Sequence, residues 1–193
     1  MIELKKLDPL TASLEEFQKY HAFINVIQKE DWPDDPPRSL EYVINTGKSR
    51  AAMKDVIWEN WCLHDNELIV ARVLVSVENY ETNRHVITIY LNIHPEHRRR
   101  GHAKRLLRKV LEIAEQHKRG LVIALTADTA PAGEIFAQRL GASQGIETHT
   151  NQLRLANLKA GLLETWTNVP KTITDEYELG CWENYYPESD IEN

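Results

Sequence analysis

The sequence predicts an α/β protein built on one mixed β-sheet flanked by helices. Three observations carry that prediction. Runs rich in β-branched and aromatic residues before residue 94 are joined by short turns. After residue 100 the order changes to helix, strand, helix. The helical segments repeat their apolar residues near a 3.6-residue period. With 193 residues, 42% of them hydrophobic, the chain is long enough for one core and an appendage.

Ile2, Leu4 and Leu7 mark a short strand within residues 1–7. Ser13 and Glu16 have capping-box spacing before a helix that runs to about Gln28, with Leu14, Phe17, His21, Ile24, Val26 and Ile27 as its buried stripe. The segment Asp31-Trp32-Pro33-Asp34-Asp35-Pro36-Pro37 cannot continue it, because proline lacks a donor and restricts its predecessor. A short helix follows from Ser39 to Asn45, ended by Gly47. Val56–Leu63, Glu67–Val77 and His85–Ile93 read as an antiparallel meander. Ala103, Leu106, Leu107, Val110 and Ala114 share one face of a helix from about Gly101 to His117. Leu121–Leu125 is a continuous apolar run suited to a buried strand. Pro131 opens a helix that ends before Gly141. Gln152–Ala156 as a strand, Leu158–Trp166 as a helix and Tyr177–Trp182 as a last strand complete the order.

Composition excludes several classes. No run approaches the roughly 18 apolar residues of a membrane span. The first residues, Met1-Ile2-Glu3-Leu4-Lys5-Lys6, lack the apolar stretch of a secretory leader, so a soluble cytoplasmic protein is expected. Cys62 and Cys181 are too few and too far apart for a disulfide framework or a zinc knuckle, and His94 and His97 have no third ligand nearby. A net charge of −6 disfavours a general nucleic-acid binder, yet Arg98, Arg99, Arg100, Lys104, Arg105, Arg108 and Lys109 crowd into one short stretch. Arg105, Arg108 and Lys109 suit a solvated helix face. Trp58 and Trp61 suit core and strand packing, and Asp34 and Asp35 suit ordinary turn chemistry.

The remaining basic residues sit where a strand feeds a helix. Unpaired backbone amides and the helix dipole make such a turn an anion site, and Gly101 lets the backbone approach a phosphate. Several flanking cations favour a diphosphate over a lone carboxylate. Other phosphate loops fail: Gly47-Lys48-Ser49 ends like a Walker A motif, but Tyr42 stands where its first glycine belongs.

Arg98-x-x-Gly101-x-Ala103, preceded by a strand and His94-Pro95-Glu96-His97, resembles the acetyl-CoA pyrophosphate loop of the GNAT acetyltransferase superfamily. Residues 131–142, closing on Leu140-Gly141-Ala142, resemble that family's fourth helix. The Pro33–Pro37 loop, the Asn83 turn, Leu153-Arg154-Leu155 and Leu162–Trp166 are similar to the first half of tandem-GNAT proteins, and Tyr177–Trp182 to the start of their second half. The resemblance implies a GNAT-like acetyl-CoA-binding domain over residues 1–156 and a C-terminal helix-strand extension, residues 157–193, like the start of a second module.

It further implies acetyl-CoA as co-substrate and acetyl transfer to a primary amine of a small molecule or peptide. Pantetheine would pair with the backbones of Leu91 and Ile93. The pyrophosphate would lie on the loop of Arg98, Arg99, Arg100, Gly101, His102, Ala103 and Lys104, with Ala132 and Phe136 against the cofactor. Two usual catalytic positions are changed: a glutamate is replaced by Ile87, and the tyrosine acid by Ala137. Catalytic residues are therefore unassigned, with Glu78, Tyr90 and Asp128 as substitutes to examine. The rival function is a catalytically silent acyl-CoA-binding module. An RNA-binding domain is the third, disfavoured by acidity and the lack of interleaved aromatics. No nucleic-acid, membrane or metal partner is expected; a second copy or a second GNAT domain is.

Overall fold

A computed structural model describes residues 2–151 and 153–168. The chain divides into two compact units, residues 1–143 and 144–193. In the first, β1 (Ile2–Lys6) precedes α1 (Leu14–Asp31) and α2 (Leu40–Ala51). The meander β2 (Val56–Asp65), β3 (Leu68–Glu78) and β4 (Val86–Ile93) follows, then α3 (His102–Gln116), β5 (Leu121–Ala124) and α4 (Ala132–Arg139). The sheet order is β1-β2-β3-β4-β5. Its first three pairings are antiparallel and the β4–β5 pairing is parallel. The predicted mixed sheet flanked by helices is thus observed.

Period-2 alternation divides the sheet's side chains between two cores. Val73, Val75, Val77, Ile87 and Ile89 pack with Leu106, Val110, Ile113 and Ala114 of α3. Cys62 and Ile69 pack on the other face with Phe17, Tyr20, Phe23, Ile24 and Ile27 of α1 and Val43 of α2. The Ser13–Glu16 capping box forms as the spacing predicts, with both reciprocal bonds present. At the far end of the sheet, the Arg119 guanidinium donates to the carbonyl of Glu78 at 2.9 Å, to Asn79 Oδ1 at 3.0 Å and to the carbonyl of Arg84. One side chain thereby ties the start of β5 to the β3–β4 turn.

Several expectations need correction. α1 runs to Asp31, and its stripe is Phe17, Tyr20, Phe23, Ile24, Ile27 and Gln28, whereas Leu14 and Val26 are exposed. Tyr20 and Phe23 supply the anchors that an aliphatic count undervalued. α2 continues through Gly47, because that glycine serves contact rather than termination: a Cβ there would stand 3.1 Å from Pro9 Cβ. β5 is not buried; Leu121, Val122 and Ile123 are all exposed. It is the sheet's last strand, and among the described residues none pairs with its outer edge. In the second unit, of the strand expected at Gln152–Ala156, Gln152 lies outside the described residues and the rest leads into a 3-10 turn at Leu155–Asn157; the helix there, α5, spans only Leu162–Thr167. Tyr177–Trp182 lies outside the described residues. Among the described residues, no helix is long and apolar enough to cross a membrane.

Leu106 is fully buried at the centre of the α3 face. Leu106→Ala should cost about 2–5 kcal/mol of unfolding free energy, read from the urea midpoint, because the packed sheet cannot collapse into the void. His102 and His64 give a pH signature. Burial pushes both imidazoles below their ordinary value, and at His102 the charges of His97, Arg100 and Arg105 add to it. Below about pH 6.5 the unfolded chain takes up protons that the folded one resists, so stability falls as pH drops through that value. His102→Asn should flatten that slope in urea titrations; an unchanged slope would contradict a neutral, buried imidazole.

Candidate functional site

The sheet opens between its two parallel strands. β4 and β5 pair from Val86↔Leu121 to Ile89↔Ala124, where β5 stops while β4 continues to Ile93. The direction of the remaining β4 backbone groups follows from alternation. The His94 amide donates to the Val70 carbonyl at 2.9 Å, toward β3. The register through Ala71↔Ile93 and Ser76↔Thr88 is unbroken, so Leu91 and Ile93 turn their amides and carbonyls the other way, toward the edge β5 has vacated. Such an edge can accept an extended chain by strand-like hydrogen bonding.

The loop leaving β4 carries the anion site. A short 3-10 turn, Pro95–His97, leads through Arg98–Arg100 into α3. Arg99 and Gly101 both take left-handed backbone conformations, φ 63° and 83°. At Gly101, the N-cap, that conformation favours glycine, and a nest of amides results. The first intrahelical bond runs from the Arg105 amide to the Gly101 carbonyl at 3.2 Å, so the amides of Gly101, His102, Ala103 and Lys104 have no partner within the helix. α1 and α2 satisfy such amides with serine N-caps, and α1, α2 and α4 carry acids in the first turn. α3 has neither a side-chain cap nor an acid there. Its positive end is left uncompensated, with exposed Arg99, Arg100 and Lys104 around it.

The arginines of the loop differ in what they do. Arg98 grips the Glu30 carboxylate with both terminal nitrogens, one at 2.7 Å, and both side chains are partly buried. It braces the loop against α1. Arg100 donates to the Glu96 carbonyl at 3.1 Å, leaving its remaining donors to solvent. Arg105 reaches the Ile2 carbonyl at 3.0 Å, and Lys109 lies 4.3 Å from the centroid of the Trp61 ring. These last two fasten α3 to β1 and β2, which a solvated face does not require. The end of α1 also holds the segment before α4: Thr129 Oγ1 donates to the Asp31 carbonyl at 3.1 Å. Ala132 is exposed on the α4 that this segment leads into, and Phe136 is half-buried.

Among the substitutes for acid and base, Tyr90 is half-buried on β4, one residue before the free edge. Glu78 sits at the opposite end of β3, paired with Val56, and Asp128 turns back to accept its neighbour's amide at 2.8 Å. Ile87 is fully buried in the α3-side core, and Ala137 is half-buried on α4. Sequence reasoning missed Asp31. Burial, and then the charge of Glu30, pushes its carboxyl above the usual range, while Arg98, Arg72 and Arg38 pull it back. Its position at the helix end before the proline loop was the available signal. His94 and His97 form a T-shaped pair with centroids 5.3 Å apart, and no group of three or more potential metal ligands occurs among the described residues.

Comparisons with known proteins agree with this geometry. A sequence model of the Acetyltransferase (GNAT) family matches residues 16–142. No curated protein matches the chain by sequence. Among solved structures, the aminoglycoside N-acetyltransferase AAC(6')-Iy, solved with CoA, superposes with a TM-score of 0.57 at 13% identity, covering 80% of this chain and 95% of that one. A ribosomal-protein-alanine N-acetyltransferase from Brucella melitensis biovar Abortus 2308 gives 0.58 at 12%, covering 79% and 100%. A tandem GNAT protein from the clavulanic acid biosynthesis pathway gives 0.60 at 18%, covering 73% of this chain and 43% of that one. At such identities the structures establish the fold; the family match over most of the first unit establishes more. The chain belongs to the GNAT acetyltransferase family.

Proposed function

We propose that this protein is an acetyl-CoA-dependent N-acetyltransferase that transfers the acetyl group directly to a primary amine of a small molecule or peptide. One observation carries it: the free edge of β4 and the uncapped start of α3 are joined by a single basic loop. That combination suits a ligand with an extended amide-bearing arm and a diphosphate, as coenzyme A has. The amides of Gly101 to Lys104 and the charges of Arg99, Arg100 and Lys104 would hold the pyrophosphate. The Leu91 and Ile93 backbones would pair with the pantetheine arm, and Ala132 and Phe136 would flank the cofactor. Arg98 is a positioning residue here, since Glu30 occupies its guanidinium.

Acetyl-CoA supplies a thioester carbonyl that a deprotonated amine can attack; a C–N bond forms, the C–S bond breaks, and the sulfur leaves as thiolate. A backbone N–H of Leu91 or Ile93 can hold the charge that develops on the carbonyl oxygen. An amine near pKa 10 must lose a proton first; Tyr90, one residue before the free edge, and Asp31, whose charge reaches Arg72 on the neighbouring strand, are the groups we assign to accept it. Ala137 offers no acid for the thiolate, which at an ordinary thiol pKa near 8.5 can leave unaided. The neighbours include enzymes named for aminoglycoside and ribosomal-protein substrates, so small-molecule and peptide acceptors both remain in scope. We also propose that residues 157–193 begin a second GNAT-like module, and that the protein acts in the cytoplasm.

Calorimetric titration should show acetyl-CoA binding, and release of free CoA thiol across an amine panel should show turnover. Arg100→Ala should weaken binding about tenfold, the value of one charge-assisted hydrogen bond. Binding without thiol release for any amine favours the silent acyl-CoA-binding module. No binding at millimolar acetyl-CoA contradicts both readings.

A further inference from the structure

The α1–α2 face of the sheet carries a second concentration of positive charge, apart from the loop. Arg72 on β3 is the cross-strand partner of Asn92 on β4 and donates from Nε to its Oδ1 at 3.0 Å. A terminal nitrogen of Arg72 donates to the Tyr20 hydroxyl. Arg50, in the last turn of α2, lies with its guanidinium carbon 4.9 Å from the centroid of the Trp58 ring. Tyr20, Tyr42, Tyr90 and Arg72 all lie close enough to act on the Arg50 charge. The two guanidinium groups therefore share one half-buried patch walled by aromatic rings.

Part of this is ordinary packing. A cation in the last turn complements the α2 dipole, and stacking on indole is favourable. Neither accounts for two like charges on one half-buried face, each acting on the other. Among the described residues, none of the ion pairs involves Arg50 or Arg72. Asp31 acts on Arg72 from the end of α1 without pairing to it. Beneath Arg50, the Trp58 Nε1 donor is buried with no partner. Donors thus outnumber acceptors, where half-buried cations are normally matched by an anion.

The patch adjoins the free edge of β4. Tyr90 belongs to both, standing on the α1–α2 face immediately before Leu91. We propose that the amine acceptor carries an anionic group, a carboxylate or a phosphate, that Arg50 and Arg72 bind, with Trp58, Tyr42 and Tyr90 walling its carbon skeleton. The planar fork of arginine matches either anion in bidentate fashion. Held there, the acceptor presents its amine toward the β4 edge, and a polycation such as an aminoglycoside is repelled. This rests on the acetyltransferase function proposed above.

The test measures thiol release at saturating acetyl-CoA with matched acceptors. L-leucine, L-phenylalanine and L-glutamate supply carboxylates, O-phosphoethanolamine a phosphate, leucinamide and phenylalaninamide neutral counterparts, and neamine a polycation. The anionic arm should exceed its neutral counterparts in kcat/KM by about tenfold or more, and whichever of carboxylate or phosphate is preferred identifies the group. Arg50→Gln should raise KM for that acceptor and lower the anionic-to-neutral ratio about tenfold, while Arg50→Lys, which keeps the charge, restores part of it. Thermal unfolding and acetyl-CoA affinity of each variant show whether it is folded. Equal or better use of amides or neamine, or an unchanged ratio in Arg50→Gln, overturns the proposal. If acetyl-CoA binds but no amine releases thiol, the enzymatic function fails separately. The anion site is then read by calorimetry with N-acetyl-leucine against N-acetyl-leucinamide on the CoA complex. A carboxylate that binds no tighter than its amide overturns it.

Discussion

β4 outlasts β5 in their shared ladder, and most of the first unit is arranged around that mismatch. Pairing ends at Ile89 and Ala124, so the last residues of β4 have no strand partner on that edge among the described residues. A central strand with an open edge is unfavourable unless something else hydrogen-bonds to it. The fold concentrates there what an acyl carrier would need. α3 starts just beyond β4, its amides bare, and the segment before α4 is tied to the end of α1. The opposite end of the sheet, by contrast, is closed by Arg119 across three acceptors. One end is fastened, the other is kept available.

Charge is handled differently on the two sides of this opening. On the loop, Arg98 is consumed by Glu30 and becomes a brace, while Arg99, Arg100 and Lys104 stay exposed. Of the loop residues that the sequence assigned together to a pyrophosphate, Arg98 is thus engaged by protein, while Arg99, Arg100 and Lys104 face solvent. On the α1–α2 face, Arg50 and Arg72 come from separate elements and form no ion pair among the described residues. Their charges lie against the Trp58 and Tyr20 rings and the Tyr20 hydroxyl instead.

The elements whose signals are local were legible in the sequence. The Ser13–Glu16 box, the meander and the Gly101 start of α3 rest on capping, alternation and backbone freedom within a few residues. Long-range packing was not legible. Gly47 looked like a helix stop because its neighbour in space, Pro9, lies far away in sequence. Leu121–Leu125 looked like a buried strand because its composition records a partner surface and not which edge is covered. At the site, the loop could be read from its motif, whereas the Arg50–Arg72 patch exists only after α2 is laid on β2 and α1 on β3. No spacing rule links residues 50, 72 and 90. Asp31 escaped for a related reason: its carboxyl is raised first by burial, which depends on the packing at the end of α1, and only then by the charge of neighbouring Glu30.

The bare start of α3, proposed above to take a ligand's phosphates, leaves the helix dipole uncompensated in the free protein. Lys104, exposed in the first turn of α3, allows the two effects to be separated. Lys104→Glu places a negative charge on the uncompensated dipole, worth about 0.3–1 kcal/mol to the unliganded fold. The decisive measurement is thermal unfolding of this variant beside acetyl-CoA calorimetry. The account predicts a higher Tm together with affinity reduced about tenfold or more. A lower Tm, or a higher one with acetyl-CoA binding undiminished, would contradict it.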